Sequence, residues 1–415
     1  LLENEIRPER ALLVSLDTGE YDVEASLDEL GELCRSAGAD PALTLTQKRQ
    51  SPESATCIGS GMAEQAAEIC RNEEIDLMIF DRELSPTQIR NLEKICGVRV
   101  IDRTMLILDI FALRAQSREG KLQVELAQLR YMLPRLTGRG VEMSRLGAGI
   151  GTRGPGETKL ETDRRHIRRR IEALKDQLKK VESARAEMTK RRRRDGTVSV
   201  ALVGYTNAGK STLMNYLTEA GVLAEDKLFA TLDPTARALK LPGGKTVVLI
   251  DTVGLIRRLP HHLVEAFKST LEQAATADII LNICDASSEE AFVHLEVTDG
   301  ILQELGAAGR PVIPVLNKYD LVPDESAAPR ISEAIRISAK TGAGIDRLLS
   351  LIEKNLPEKT ERFTLLLPFS KSGLAADLRE DGALLSEEYV EGGLRITANI
   401  PGRLKKSVEK YIVRQ

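Results

Sequence analysis

The stretch V-S-V-A-L-V-G-Y-T-N-A-G-K-S-T, residues 198–212, decides how the rest of the chain is read. Val198–Val203 is a β-rich run that predicts a strand, and a helical pattern begins at Thr212. Between them Gly204–Ser211 spells G-x-x-x-x-G-K-S. In that strand–loop–helix setting the pattern is a phosphate cradle. Its glycines let main-chain N–H groups, those of Tyr205, Thr206, Asn207, Ala208 and Gly209, turn inward around phosphate oxygens. The helix start adds the positive end of its dipole. Lys210 is placed to reach the β- and γ-phosphates, and Ser211 to offer its hydroxyl to Mg²⁺, with Thr212 beside it.

Three further segments follow in an order that fits this cradle. Lys245–Ile250 predicts an apolar strand ending in D-T-V-G, residues 251–254. Asp251 at the strand end would hold Mg²⁺ through water, Thr252 and Val253 carry the turn, and Gly254 can offer its N–H to the γ-phosphate. Arg237–Leu241 is joined to that strand by Pro-Gly-Gly, which predicts one antiparallel hairpin in an otherwise parallel sheet. Ahead of it lies F-A-T-L-D-P-T, Phe229, Ala230, Thr231, Leu232, Asp233 and onward, where Thr231 can ligate Mg²⁺ when a γ-phosphate is present and Thr235 is a rival. Val312–Leu316 then leads into N-K-Y-D, with Asn317, Lys318 and Asp320, and Ile335–Ile337 into S-A-K, Ser338, Ala339 and Lys340. A carboxylate at a strand end accepts two hydrogen bonds from guanine's ring N–H and amine, a donor pair adenine lacks. Asp320, read as a buried carboxylate, therefore selects GTP and GDP. All these segments sit at carboxyl ends of strands, where open α/β sheets bind ligands. Lys210, Thr231 and Gly254 are expected to act in hydrolysis, and Ser211, Thr231 and Asp251 to hold the metal.

The remainder of the 415 residues divides around this unit. In residues 1–112 short apolar runs (Ala11–Leu16, Ala42–Thr46, Asp76–Phe80, Val98–Ile101) alternate with helical patterns (Glu24–Ala37, Met62–Arg71, Pro86–Ile95), predicting a parallel α/β domain. Residues 113–196 read as a helical hairpin: Leu122, Leu126, Leu129 and Leu133 share one face, and Ile167, Ile171, Leu174, Leu178 and Val181 repeat with coiled-coil spacing. The second helix is expected from about Thr162 to Lys190, after a glycine-rich, mobile break at 146–159. Residues 197–358 form the cradle unit, and 359–415 a small α+β module with strands Phe363–Phe369, Ala383–Val390 and Leu394–Ile400 and helices Gly373–Arg379 and Arg403–Ile412. The fold class is α/β: a P-loop domain, mostly parallel with one antiparallel strand, plus an N-terminal α/β domain, a coiled-coil hairpin and a small C-terminal α+β domain.

With 59 Lys+Arg against 62 Asp+Glu the chain is not globally basic, yet Arg164–Arg194 carries fourteen Lys or Arg against four acids. Positive charge concentrated on one element reads either as a solvated helix face or as a phosphate-binding edge, and its one-sidedness favours the second. No apolar run approaches the ~18 residues that span a bilayer. The start of the chain shows no leader pattern, and five cysteines without metal spacing fit a reducing cytoplasm.

The nucleotide motifs look like those of a translation-factor-class GTPase. F-A-T-L-D-P-T, together with I-G-T-R-G-P-G-E-T-K-L-E-T-D-R-R (150–165) and the segments within 101–130, resembles the HflX family of ribosome-associated GTPases. That resemblance implies binding to the large ribosomal subunit and roles in splitting or rescuing stalled ribosomes, with the basic hairpin reaching rRNA. Some members are said to use ATP through the N-terminal domain, but residues 1–112 show no nucleotide motif. The chain departs from the family near residue 60, where Gly-Lys is common at the G-x-G turn but Gly59-Ser60-Gly61-Met62 stands and the lysine is lost, at Met105, where a small Gly is usual, and at Leu255, where Phe is usual. Leu255 stands where Ras-like enzymes orient water with Gln, which predicts slow intrinsic turnover and stimulation by a partner. Asn207 resembles a K⁺ ligand of related GTPases. Arg257 and Arg258, which follow the switch, read as solvated charges on a mobile loop, with a contribution to hydrolysis in cis as the alternative. The chain is expected to be monomeric. Alternatives are a subunit-maturation GTPase, an RNA-remodelling ATPase, and a non-catalytic RNA-binding factor.

Overall fold

The computed structural model describes residues 7–136, 155–194, 197–218, 228–229, 235–258, 263, 274–307, 309–324, 329–357, 360–371, 373–375, 378, 384–390, 393–401 and 407–413. Its first sheet grows from β1 (Arg10–Asp17), whose uncharged stretch 11–16 is buried on both faces. Such a run belongs in a parallel sheet covered by helices on each side. β2 (Asp40–Lys48), β3 (Leu77–Phe80) and β4 (Arg99–Asp102) complete it in the order β2-β1-β3-β4, all parallel. Leu12, Val14, Met78 and Phe80 pack on one face with α2 (Ser60–Asn72) and α3 (Pro86–Cys96). Leu13, Leu77 and Ile79 pack on the other with α1 (Val23–Ser36) and α4 (Arg103–Arg114). Ser85 closes a capping box with Gln88 at the start of α3, Pro86 being its first residue.

The α4 helix has no counterpart among the expected elements. Leu106, Ile107, Leu108, Ile110 and Phe111 are all buried, so the segment lacks the polar stripe by which an amphipathic helix is recognised. It is enclosed because one core cluster runs from the first sheet through α4 to Tyr205, Phe229, Val253 and Ile256 of the cradle unit.

The hairpin pairs α5 (Arg118–Arg135) with α6 (Pro155–Arg194). Leu122, Leu126, Ile171, Leu174 and Leu178 form its seam, flanked by Leu129, Leu133 and Ile167. Arg170 pairs with Glu125 and Arg185 with Glu119, the descending partner numbers of an antiparallel pair. At 40 residues α6 is about 60 Å long, longer than the sequence implied. It starts at Pro155, so the last part of the expected break is helical, while 137–154 lies outside the described residues. Proline fits there because the first helical N–H has no intrahelical partner.

The second sheet has the order β10-β9-β8-β5-β7-β6. It comprises β5 (Ser199–Gly204), β6 (Thr235–Lys240), β7 (Thr246–Asp251), β8 (Ile279–Asp285), β9 (Val312–Asn317) and β10 (Ile335–Arg336). β6 runs antiparallel to β7 and the remaining pairs are parallel. α7 (Lys210–Thr218), α8 (Ala291–Glu304) and α9 (Ile345–Lys354) accompany it. The third sheet, β11 (Thr360–Leu367), β12 (Leu384–Val390) and β13 (Gly393–Pro401), is antiparallel with β13 central. Of the helix expected over Arg403–Ile412, the described residues 407–411 are helical and close in a tight turn at Glu409–Tyr411, while 402–406 lie outside the described residues; the helix does not reach Ile412. Ile412 bridges to Leu365 instead, which extends the sheet edge and ends the helix. All five cysteines are buried and free.

Candidate nucleotide site

The cradle forms where β5 runs into α7. Gly204 carries φ +153°, Asn207 +59° and Gly209 +86°, a sequence of turns that bends the chain back on itself before the helix. A side chain at Gly209 would put its Cβ 2.2 Å from the Asn317 amide, so only glycine passes there. Lys210 Nζ, fully enclosed, donates to the Gly204 carbonyl at 3.0 Å and the Tyr205 carbonyl at 2.7 Å. Burial draws the ammonium down to about 8, opposed by Asp251. Lys210 is thus already aimed along the loop that would surround phosphates. Ser211 Oγ, in the first turn of α7, donates to Asp251 Oδ2 at the end of β7 at 2.8 Å. A hydroxyl and a carboxylate side by side are the hard oxygen donors that suit Mg²⁺, which keeps waters and phosphate oxygens as its other ligands. Among the described residues no cluster of three His, Cys, Asp or Glu forms a separate metal cage.

The D-T-V-G segment is tied directly to the cradle. Thr206 N donates to Leu255 O at 2.8 Å, and Leu255 N to Gly204 O at 3.1 Å. Gly254 lies so close that an added Cβ would stand 2.9 Å from Thr206 Cα and 3.2 Å from Lys210 Nζ. Thr252 Oγ1 donates to Leu202 O, holding the turn. Leu255 is a core residue against Ala201, Val203 and Ala275, which explains why the Gln position of Ras-like enzymes is apolar here.

On the base side, Asn317 Nδ2 donates to Ala208 O at 2.8 Å and its Oδ1 accepts from Ala339 N at 2.9 Å. One buried amide therefore clamps the cradle, N-K-Y-D and S-A-K together. Lys318, at φ +56°, pairs with Asp285 at 2.9 Å. Ser338 Oγ accepts from Thr341 N at 3.1 Å, and Lys340 is exposed. Asp320, expected as a buried carboxylate, is exposed, because the turn Tyr319–Leu321 carries it to the rim.

Several other expected residues fall elsewhere. Phe229 is an interior residue: its ring meets Phe111 of α4 edge-on at 4.7 Å. Val253 is buried in the same cluster. The Tyr205 ring stacks on His294 at 3.8 Å, and its hydroxyl accepts from Arg257 N at 2.7 Å and bonds Glu29 of α1. Burial, then the nearby Arg257, holds His294 down at about 4, so the stacked ring is neutral. Ala230, Thr231, Leu232 and Asp233 lie outside the described residues, and Thr235 begins β6 opposite Asp251. Arg257 and Arg258, read as solvated, are engaged: Arg257 pairs with Glu290 at 2.5 Å and Arg258 with Asp81 at 2.8 Å. Their partners lie 33 and 177 positions away, and no local pattern announces such pairs.

Residues 24–112 match the family described as GTP-binding GTPase N-terminal, 114–192 the GTP-binding GTPase middle region, and 199–318 the 50S ribosome-binding GTPase. A protein of Caldanaerobacter subterraneus named GTPase HflX is 49% identical, over 98% of this chain and 94% of its own. The chain belongs to the HflX family. Relatives of the same name from Lacrimispora saccharolytica, 47% identical over 98% of this chain and 97% of their own length, and Escherichia coli, 42% over 93% and 92%, extend the match. The HflX chain is a P-loop GTPase that binds guanine nucleotide, built on the mostly parallel sheet described above. No helix among the described residues is long and apolar enough to cross a membrane.

Proposed function

We propose that this HflX protein associates with the large ribosomal subunit in the cytoplasm and hydrolyses GTP to GDP and phosphate in splitting or rescue of stalled ribosomes. The observation that carries the ribosomal part is α6. Ile167, Ile171, Leu174 and Leu178 are taken by the seam with α5, while Arg165, Arg168, Arg169, Lys175, Lys179 and Lys180 stand exposed. An arm about 60 Å long with one-sided positive charge fits an rRNA backbone. The name of the third matched region, 50S ribosome-binding GTPase, agrees.

In the reaction, main-chain amides of the cradle grip the triphosphate and Lys210 follows its γ-phosphate. Ser211 and Asp251 would hold Mg²⁺, which supplies charge neutralisation, with Thr231 as a further ligand. Gly254 N–H reports the γ-phosphate, Asn317 keeps cradle and base loops in register, and Asp320 reads guanine. Leu255 cannot orient water, so intrinsic turnover is slow and a partner completes the site.

The test is cosedimentation with ribosomal particles. The large subunit should be retained with a non-hydrolysable GTP analogue and much less with GDP. Replacing Arg168, Arg169, Lys179 and Lys180 by Gln should weaken binding by about 10²-fold or more at moderate salt and flatten its salt dependence by up to about four counterions. Unaltered binding would remove the arm from the interface. Asn207, at the lip of the cradle, supports a K⁺ ion beside the phosphates. Turnover should then be about tenfold or more faster in K⁺ than in Na⁺ buffer, and an Asn207→Ala variant should lose the difference; equal rates in the two buffers exclude it.

A further inference from the structure

An open parallel sheet takes its ligand outside the carboxyl ends of its strands, where strand order reverses. In the first sheet this point lies between β1 and β3. No glycine loop for phosphate stands there. The crevice instead holds Asp81, 1% exposed, directly after β3. Ser26 Oγ donates to Asp81 Oδ2 at 2.7 Å, and Arg103 Nη1 donates to Oδ1 at 3.0 Å.

The group that fills the crevice comes from the other sheet. Arg258, four positions after Gly254, donates through Nη2 to Asp81 Oδ2 at 2.8 Å and contacts Ser26 Oγ. Its guanidinium lies over the Tyr21 ring, 3.8 Å from the centroid. A carboxylate, a hydroxyl and an aromatic face suit a planar guanidinium, which stacks flat on the ring while its forked N–H groups reach both oxygens, a geometry a compact ammonium matches poorly. We infer that this crevice is a guanidinium-binding site, made by Asp81, Ser26 and Tyr21, whose resident ligand is Arg258 and whose occupancy follows the nucleotide.

Two features make the seat one that can be vacated. Arg103 stays on Asp81 through Oδ1, so departure of Arg258 leaves no bare buried carboxylate. Burial, then the charge of Arg258, draws Arg103 down to about 10, a repulsion that departure relieves. Arg258 also sits at φ +47°, a conformation a non-glycine residue holds only while its surroundings fix it. The link to nucleotide is short. Leu255 is bonded to Gly204 and Thr206, and Arg257 N to the Tyr205 hydroxyl, so a shift of Gly254 toward a γ-phosphate pulls on the segment carrying Arg258. This nucleotide dependence rests on the switch reading of the site; the guanidinium seat does not.

The test uses the full chain and methylguanidinium as probe, read by thermal melting at millimolar concentrations below any denaturing range. Arg258→Ala should show a saturable rise in Tm with methylguanidinium, none with methylammonium, and none when Asp81→Asn is added. Should Arg258→Ala fold poorly, Arg258→Gln serves as the emptied seat. Wild type should respond with a non-hydrolysable GTP analogue and Mg²⁺ present, and not with GDP. No saturable response in either emptied variant, or an equal response of wild type with GDP, overturns the site. A response of the variants with none from wild type in either nucleotide keeps the seat and overturns its nucleotide control. Neither outcome depends on whether ribosomal particles are bound.

Discussion

Lys210→Ala should lower GTP turnover by about 10³-fold or more, with triphosphate affinity falling more than diphosphate affinity. The structure gives the reason before any nucleotide arrives. Lys210 Nζ is held by the Gly204 and Tyr205 carbonyls inside the loop that would surround the phosphates, 3.2 Å from where a Gly254 side chain would begin. Before nucleotide arrives, Arg257 and Arg258 are held by Glu290 and Asp81, away from the loop. Removing the lysine takes away a buried charge and leaves two carbonyls short of a donor, opposing changes of about 1–3 kcal/mol, so melting should shift little while activity collapses. A second signature separates this role from a structural one. The free ammonium titrates at about 8 because burial penalises it, whereas a triphosphate favours the protonated form. GTP affinity should therefore be flat below about pH 8 and decline above it, by up to tenfold per unit, and Lys210→Ala should lose that slope. Folding stability of the nucleotide-free chain runs the other way. The unfolded lysine holds its proton to about 10.5, so between 8 and 10.5 the unfolded state binds more protons and the folded state gains stability as pH rises. Fluorescent-nucleotide titrations and urea melts across pH 7–10 check both slopes.

What the sequence revealed and what it concealed divide along physical lines. Motifs whose chemistry is local could be read directly. G-Y-T-N-A-G-K-S must follow a strand and open a helix, and it does so between β5 and α7. Short apolar runs alternating with helical patterns, and coiled-coil spacing, likewise announce the strand–helix alternation and the α5–α6 seam. Concealed features all depended on distant partners. The α4 helix is hidden in the sequence because Leu106, Ile107, Leu108, Ile110 and Phe111 leave no amphipathic stripe to recognise, which only a tertiary enclosure by α5 and the cradle unit makes sensible. Phe229 was assigned to nucleotide because it opens F-A-T-L-D-P-T, whereas its ring is taken by Phe111 more than a hundred residues earlier. Arg257 and Arg258 look like ordinary surface charge until Glu290 and Asp81 are brought beside them. Asp320, expected as a buried carboxylate at a strand end, stands at the rim because the turn Tyr319–Leu321 carries it there.

That exposure sharpens the expectation for Asp320 itself. Its neighbours hold the frame: Asn317 bonds Ala208 and Ala339, and Lys318 bonds Asp285, so the turn that presents Asp320 is rigid while the carboxylate remains hydrated. A guanine that enters must strip this water, and it can do so only by returning two charge-assisted hydrogen bonds from its ring N–H and amine. Adenine offers no such pair and would leave a desolvated charge unmatched. Asp320→Ala should therefore cut the preference for GTP over ATP by about 10²–10⁴-fold, mostly through weaker GTP binding rather than stronger ATP binding. Asp320→Asn places an N–H where guanine's amine also donates, and it should instead favour a purine with a carbonyl at that position, such as xanthosine triphosphate. Competition titrations with the three triphosphates in Mg²⁺ decide the matter. A GTP-to-ATP ratio that survives both substitutions would mean that another group reads the base, with Ser338 and Ala339 the nearest remaining candidates, since Asn317 already ties their loop to the cradle.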